Sequence, residues 1–434
     1  MRHILSALTF LLLPLPALAD QTVKFTVSAG KHDRANEPVV VPLNLEVKTP
    51  VLASAEVKDD KGNFVAVGQL PFPDLVTDKV MSQKGKERRD LVFVLPKLKA
   101  GESLNLKAVI ADEPRKPSPG DFVIHGQVTT DQQWAELRQG KRPVWRYMHT
   151  PYAAPAKGKE NDTGNPTSKV FHHVYDPSGE RFVTNGAGGH FPHHRGLFYG
   201  FSKTSYGKNT VDIWHCRASD PKGKRKNEAH QAHAGVLGQS LGPVLGRQIL
   251  DIDWHGVGTK TFAKEQRELT AYAVPGGTLI DFASKLTPTG DPVKLDGDPQ
   301  HAGFHFRAAN EVNDKTAKQT TFIRPDGTDK PGATRNWDGK KNTSHVNLPW
   351  LAMSFVLGGQ RYTAAYLDRP DNPKEARFSE RDYGRFGSYF VTTVTKEKPL
   401  LVRYRVWLQE GQMTPEDVKA KSVQFVEPVE VRLK

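Results

Sequence analysis

Cysteine is nearly absent: Cys216 is the single one in 434 residues. No internal disulfide can hold the chain, so burial must do that work. Cys216 closes a strand-like run over 211–216 and reads as a core thiol rather than a nucleophile. Long apolar runs are lacking too, apart from one at the start. Nothing beyond it approaches the ~18 consecutive apolar residues of a membrane-spanning helix. Helix punctuation is sparse. Its clearest instance is Thr414-Pro415-Glu416-Asp417, a cap, a first-turn proline and two acids. The chain also lacks a phosphate-binding loop, a dinucleotide glycine fingerprint and a Gly-x-Ser-x-Gly elbow. Their absence disfavours NTPase, dehydrogenase and serine hydrolase chemistry.

What is present begins with a basic tripeptide, Met1-Arg2-His3. An apolar run over 4–18 follows, interrupted by Pro14 and Pro16, and then Ala17-Leu18-Ala19. That is the three-part pattern of a cleaved export signal. The expectation is a leader over 1–19, a mature start at Asp20, and a periplasmic or secreted chain with no membrane contact. The formal charge is +13. Export argues against nucleic acid as its partner, leaving a saccharide, with an anionic one suiting the charge. The sequence identifies no cofactor.

Residues 20–111 read as short alternating strands separated by turns, as at Asp60-Lys61-Gly62-Asn63. This is the pattern of an immunoglobulin-like β-sandwich. Three prolines and four charges over 112–120 mark a linker. Residues 121–434 then carry about ten further strand candidates with no crossover helices between them. Trp134 to Arg138 and Val144 to Met148 flank a hairpin turn. Others lie over 197–201, 211–216, 279–286, 304–308, 352–357, 362–367, 389–394 and 400–408. The expected fold is all-β: a small sandwich followed by a large antiparallel double sheet.

The chemistry is concentrated in this second region, where eleven of the sixteen histidines fall between 172 and 305. Histidine is the neutral-pH acid or base and the commonest metal ligand, so the density points to a site. The loop Gly188 to Gly196 offers His190, His193, His194 and Arg195. If it is extended, the adjacent histidines point opposite ways and only one of them faces a pocket. Gln300 to Arg307 reads as a strand whose odd positions, His301, His305 and Arg307, share one face, with Glu311 a further candidate, while Phe304 and Phe306 face a core. A charged segment over 378–387 supplies Glu380, Arg381, Tyr383 and Arg385. A Gly/Pro-rich loop supplies Arg324 and Trp337, the latter suited to sugar stacking.

The runs Phe171-His-His-Val-Tyr-Asp176, Phe191-Pro-His-His-Arg-Gly-Leu-Phe198 and Gln300-His-Ala-Gly-Phe-His-Phe-Arg307 resemble a bacterial family of unknown function. Arg361 to Pro370 and Phe378 to Gly387 resemble it too. The family is commonly labelled methane oxygenase PmoA. That label implies a multi-spanning membrane subunit. A copper site of the lytic kind would need an N-terminal histidine. The sequence offers neither, since no spanning run follows the leader and Asp20 is the expected terminus. The resemblance implies a secreted protein in a glycan-degrading context. More distantly, the histidine-lined sheet resembles galactose-mutarotase-like supersandwiches.

The leading expectation is therefore a carbohydrate-active lyase, epimerase or hydrolase. His194 and His305 would act as acid or base, Glu380 and Tyr383 would complete the proton traffic, and the remaining candidates would bind substrate. A non-catalytic glycan-binding protein is one alternative. A metal-dependent enzyme using histidines among His190, His194, His230 and His233 is another.

Overall fold

The computed structural model describes residues 21–46, 54–76, 86–111, 113–129, 132–219, 227–337 and 343–434. The leader expected over 1–19 lies outside them. The described residues are overwhelmingly β, and every pairing within the large sheets is antiparallel.

Two sheets make the body of the protein. The eight-stranded one runs, edge to edge, Arg377–Arg381, Arg385–Tyr389, Ala302–Arg307, Leu197–Phe201, Phe171–Val174, Arg142–Met148, Gln133–Gln139 and Phe122–Val128. The nine-stranded one runs His230–Leu241, Leu245–His255, Thr261–Tyr272, Thr278–Pro288, Leu400–Glu410, Gln360–Asp368, Trp350–Leu357, Thr321–Arg324 and Gly327–Thr328. Strand side chains alternate between faces, and the apolar parity of each sheet meets the other. Phe304 stacks on Phe282 at 4.2 Å and Phe306 lies 6.2 Å from Phe355, both across the interface. His305 and Arg307, on the opposite parity, are turned to the outer face, as the alternation predicts.

The inner face is not purely apolar. Arg324 donates from Nε to Glu380 Oε1 at 2.7 Å, and the backbone N–H of Arg335 donates to the other carboxylate oxygen at 2.9 Å. Glu380 has the same parity as Phe378, so its side chain points between the sheets. Arg267 and Glu265 form a second fully buried pair at 2.8 Å. Such pairs place charges at apolar positions. The second explains why the alternation fails to announce the strand Thr261–Tyr272. The run over 211–216 departs from expectation in the other direction. Only Asn209–Val211 is strand, and Asp212 then accepts from the N–H groups of Trp214 and His215, turning the chain.

The first unit is a seven-stranded sheet wrapped round its own core of Phe25, Val41, Val57, Phe93 and Leu106. It is completed from the far end of the sequence, because Glu430–Leu433 pairs with Gln21–Ser28. The helix Pro415–Val426, with a Thr414/Asp417 capping box, precedes that strand. Its Phe425 joins Val92, Trp350 and Trp407 in the seam against the nine-stranded sheet. The 113–120 segment is irregular and tied down, with Arg115 Nη2 donating to Asp121 at 3.0 Å.

Two outcomes follow from these buried groups. Glu380→Gln removes one of the two carboxylates facing Arg324, Asp329 being the other at 2.8 Å, and should cost about 3 kcal/mol, the low end of the scale for breaking a buried pair on one side. A urea midpoint within error of the parent would contradict it. His173 and His230 are held neutral by burial, each with its pKa down to about 4. Unfolded histidine takes up its proton near pH 6.5, so between those values the unfolded state binds more protons. Stability is then full above about pH 6.5 and falls as pH drops toward 4. The slope is about 1.4 kcal/mol per pH unit for each histidine. A flat profile of urea midpoints over that window would show that neither ring is held neutral.

Candidate functional site

The outer face of the eight-stranded sheet forms the floor. Register sets His305 opposite Phe198 on one side and Gly387 on the other, with Arg307 opposite Arg385 and Arg381 opposite Arg385. The Nε2 of His305 lies 2.8 Å from the Ala302 carbonyl, so that nitrogen carries the hydrogen and donates it. Nδ1 is then left to accept from Arg385 Nη1 at 3.3 Å. With Trp214 against it at 4.8 Å, the ring is fully buried. Burial, followed by the charge of Arg385, holds its pKa well below the usual histidine value. Both nitrogens are engaged, which fits a residue that orients Arg385 better than one that exchanges protons.

Three loops close over this floor. In the first, Phe191 adopts φ +53°, a left-handed conformation uncommon for a bulky residue. The loop is therefore a tight turn and not extended, and the rings of His193 and His194 lie side by side with centroids 4.2 Å apart. Both histidines reach the site, contrary to the expectation that only one would. Gly196 closes the turn at φ +55°, where a Cβ would sit 2.0 Å from the His172 carbonyl oxygen. In the second loop, the Asp212 turn delivers His215, whose Nδ1 lies 2.7 Å from Asp212 Oδ2. In the third, Asp298 accepts from the Gln300 N–H at 2.8 Å and meets His301 Nδ1 at 3.0 Å. The second and third loops share one local design, Asp-x-x-His, with the acid turning the backbone and bracing the imidazole that follows.

Ring nitrogens of His193, His215 and His301 all lie within 4.8 Å of one another, a spacing that a single ion could bridge. Lys169 ties the first two loops together. Its fully buried ammonium donates to the backbone carbonyls of His193 and Trp214, and burial lowers its pKa to about 8. His194 is 2 % exposed, and neither of its ring nitrogens has a protein partner. Burial, then His193 and the surrounding arginines, hold it neutral.

The rim is aromatic and cationic. The Tyr383 ring lies parallel to that of His194, with an 8° interplanar angle and centroids 6.4 Å apart. His190, which is exposed, flanks Tyr383 edge-on at 5.6 Å. Arg307 donates to the carbonyl oxygens of Tyr383 and His190 and to Asn310 Oδ1, so it fixes the rim. Burial lowers its pKa to about 10. Arg381 donates to Asn336 Oδ1 at 2.7 Å. Burial and the neighbouring Arg385 depress its pKa.

The structure therefore gathers His190, His194, His301, His305, Arg307, Arg381, Tyr383 and Arg385, and adds His193, His215, Trp214 and Lys169. Arg324 and Glu380 are engaged with one another between the sheets. Arg195 is fully buried and spends its hydrogen bonds on the carbonyls of Pro192, Thr163 and Asn165. Trp337 lies under the Arg377 guanidinium, 4.3 Å from its ring centre. Glu311 reaches the Gly358 N–H instead of the histidine row. The metal alternative built on His190, His194, His230 and His233 is corrected. His230 stacks on Tyr152 and His255, whereas His233 meets Tyr147 and His149. Three residues apart on a strand, they take opposite parities and cannot chelate together.

Fold and site together define an all-β protein with a histidine- and arginine-rich cluster on the outer face of a double sheet. The chain belongs to a family of unknown function (DUF6807), whose model matches residues 135–422 and so includes every residue of the site. No curated protein matches. Among solved structures the chain is similar to a glycosyl hydrolase family 38 protein from Enterococcus faecalis. Identity there is 9%, the TM-score is 0.41, and 95% of this chain and 47% of that one are covered. An α-mannosidase from Enterococcus faecalis V583 gives 9%, 0.39, 95% and 46%. A family 36 α-galactosidase from Geobacillus stearothermophilus gives 9%, 0.28, 66% and 41%. The chain spans less than half the length of each of these structures.

If Lys169 is the pin between the two loops, Lys169→Met should loosen both at once. Amide hydrogen exchange at 193–194 and 214–216 should quicken about tenfold or more, the equivalent of losing one charged hydrogen bond. Unchanged exchange in a folded variant would deny it that role.

Proposed function

We propose that the protein is an exported enzyme that acts on an anionic saccharide in this cleft by acid–base chemistry. One observation carries the reading. Arg307, Arg381 and Arg385 stand together on one face of the sheet, and none of them has a carboxylate ion pair among the described residues, while the inward-facing Arg267 has one and Arg324 two. Arg385 depresses the pKa of both its neighbours. Unpaired, mutually repelling guanidinium groups in a partly dry cleft favour a bound anion.

A sugar carboxylate is the anion whose chemistry the other groups can use. Held against the arginines, it places its adjacent C–H within the cleft. His194, neutral and with no protein partner on its ring, is the candidate base for that proton. The arginines would stabilise the enolate-like charge that develops. The Tyr383 phenol would give its proton to a departing glycosidic oxygen, which makes a lyase, or to the opposite face of the carbanion, which makes an epimerase.

Titration calorimetry with glucuronate- and galacturonate-containing disaccharides, beside their neutral parents, tests this. The anionic ligands should bind about tenfold or more tightly, the worth of one charge-assisted pair. Arg381→Gln should abolish that preference without lowering Tm. His194→Ala should retain binding and lose turnover. Equal affinity for anionic and neutral sugars would overturn the proposal.

A further inference from the structure

We infer that His193, His215 and His301 form a binding site for one transition-metal ion of the zinc class, with a coordination position left open to the cleft. The inference goes beyond the anionic-saccharide reading and does not depend on it.

The first argument is convergence. Three residues from separate loops bring one imidazole nitrogen each into a group spanning at most 4.8 Å. Ring centroids are 4.5 Å apart for His193 and His215, and 5.0 Å for His215 and His301. A tetrahedral zinc–imidazole site needs nitrogens about 3.4 Å apart, so a small inward rotation of the rings closes the set.

The second is the outer shell. Each Nδ1 already has a partner: Thr163 Oγ1 at 3.3 Å for His193, Asp212 Oδ2 at 2.7 Å for His215, and Asp298 Oδ1 at 3.0 Å for His301. A carboxylate accepts only from an N–H, so His215 and His301 carry their hydrogens on Nδ1. Their Nε2 lone pairs are then free. This is the carboxylate–histidine arrangement that orients metal ligands and raises their basicity. The Nε2 of His193 is buried without a partner, a state that folding seldom leaves uncompensated. Three imidazole nitrogens within 4.8 Å of one another, on rings of which two are braced by carboxylates and one has a buried unpartnered nitrogen, are explained most simply by a shared cation.

The third is donor type and access. Three imidazoles suit zinc, copper, nickel or iron and not magnesium or calcium. Cys216 is adjacent in sequence, but its thiol donates to the Ile213 carbonyl, so it does not add sulfur to the set. His193 is buried, whereas the His215 and His301 side chains are 13% and 32% exposed. The open side therefore faces the cleft, beside His194, whose ring lies 6.4 Å from that of His301. Three protein ligands with an open position is the pattern of a catalytic rather than a structural zinc site. It would supply an activated water at neutral pH.

The test is calorimetric titration of tag-free, chelator-stripped full-length protein with Zn²⁺. We expect one equivalent bound with a Kd below about 1 μM. His301→Ala should weaken binding at least ~100-fold and Asp298→Asn by ~10–100-fold, while His233→Ala should leave it unchanged. Asp298 is exposed, so Asp298→Asn keeps the test decisive if His301→Ala does not fold. Absence of stoichiometric binding by the folded parent would overturn the inference. So would one-equivalent binding that survives in the His215→Ala/His301→Ala double variant. Disaccharide binding measured on the stripped chain reports on the arginines alone, so either reading can fail while the other stands.

Discussion

The packing of the eight-stranded sheet on the nine-stranded one decides which side chains are available for chemistry. Stacking of Phe304 on Phe282, together with Phe306 near Phe355, commits one parity of Ala302–Arg307 to the core. A slip of one residue would exchange every inward side chain for an outward one. Burying His305 and Arg307 between the sheets would then strand two polar groups, at a cost of several kcal/mol. The apolar contact thus fixes the register, and the register places Arg381, Arg385, His305 and Arg307 in one outward row. The loops can assemble a site over that row because the floor is rigid.

The same constraint separates arginines with different work. Arg324 and Arg267 face inward, Arg267 neutralised by Glu265 and Arg324 by Glu380 with Asp329. They stabilise the double sheet only in the sense that removing the partners leaves an uncompensated buried charge. Arg307, Arg381 and Arg385 face outward and spend their hydrogen bonds on carbonyl, amide, hydroxyl and imidazole groups, which orient them without cancelling their charge. The fold bears that uncancelled charge as a cost of holding the site ready. Several polar atoms there are also left without protein partners, among them both His194 nitrogens and Nε of Arg307 and Arg385.

Much of this was legible in the residues. Alternation over 302–307 identified the floor and the facing of its histidine and arginine. The hairpin of Gln133–Gln139 with Arg142–Met148 and the capped helix at Thr414 also follow directly from local chemistry. The failures have specific causes. Glu380 looked catalytic because the partner that engages it, Arg324, lies 56 residues away on the other sheet, a relation no local pattern carries. His193 and His194 are mutually exclusive only on an extended backbone, and Phe191 at φ +53° turns the backbone there. His230 and His233 drew attention by their spacing, but the strand that holds them sends them apart.

The chain carries one further local signal. Asp212-Ile-Trp-His215 and Asp298-Pro-Gln-His301 repeat the same four-residue spacing, and in both the acid caps its own turn while its carboxylate braces the histidine. A short acid next to a turn is ordinary, and so is a loop histidine. Their fixed spacing is not, because it sets the tautomer of the ring and the direction of its free lone pair at once. Two such units, carried by separate loops and facing a third imidazole whose backbone is held by Lys169, converge without needing any long-range pattern in the chain. The site is thus built from local turns whose aim is set by the sheet beneath them. Histidine density alone pointed to the region, whereas the acid three residues earlier singles out the rings that are braced.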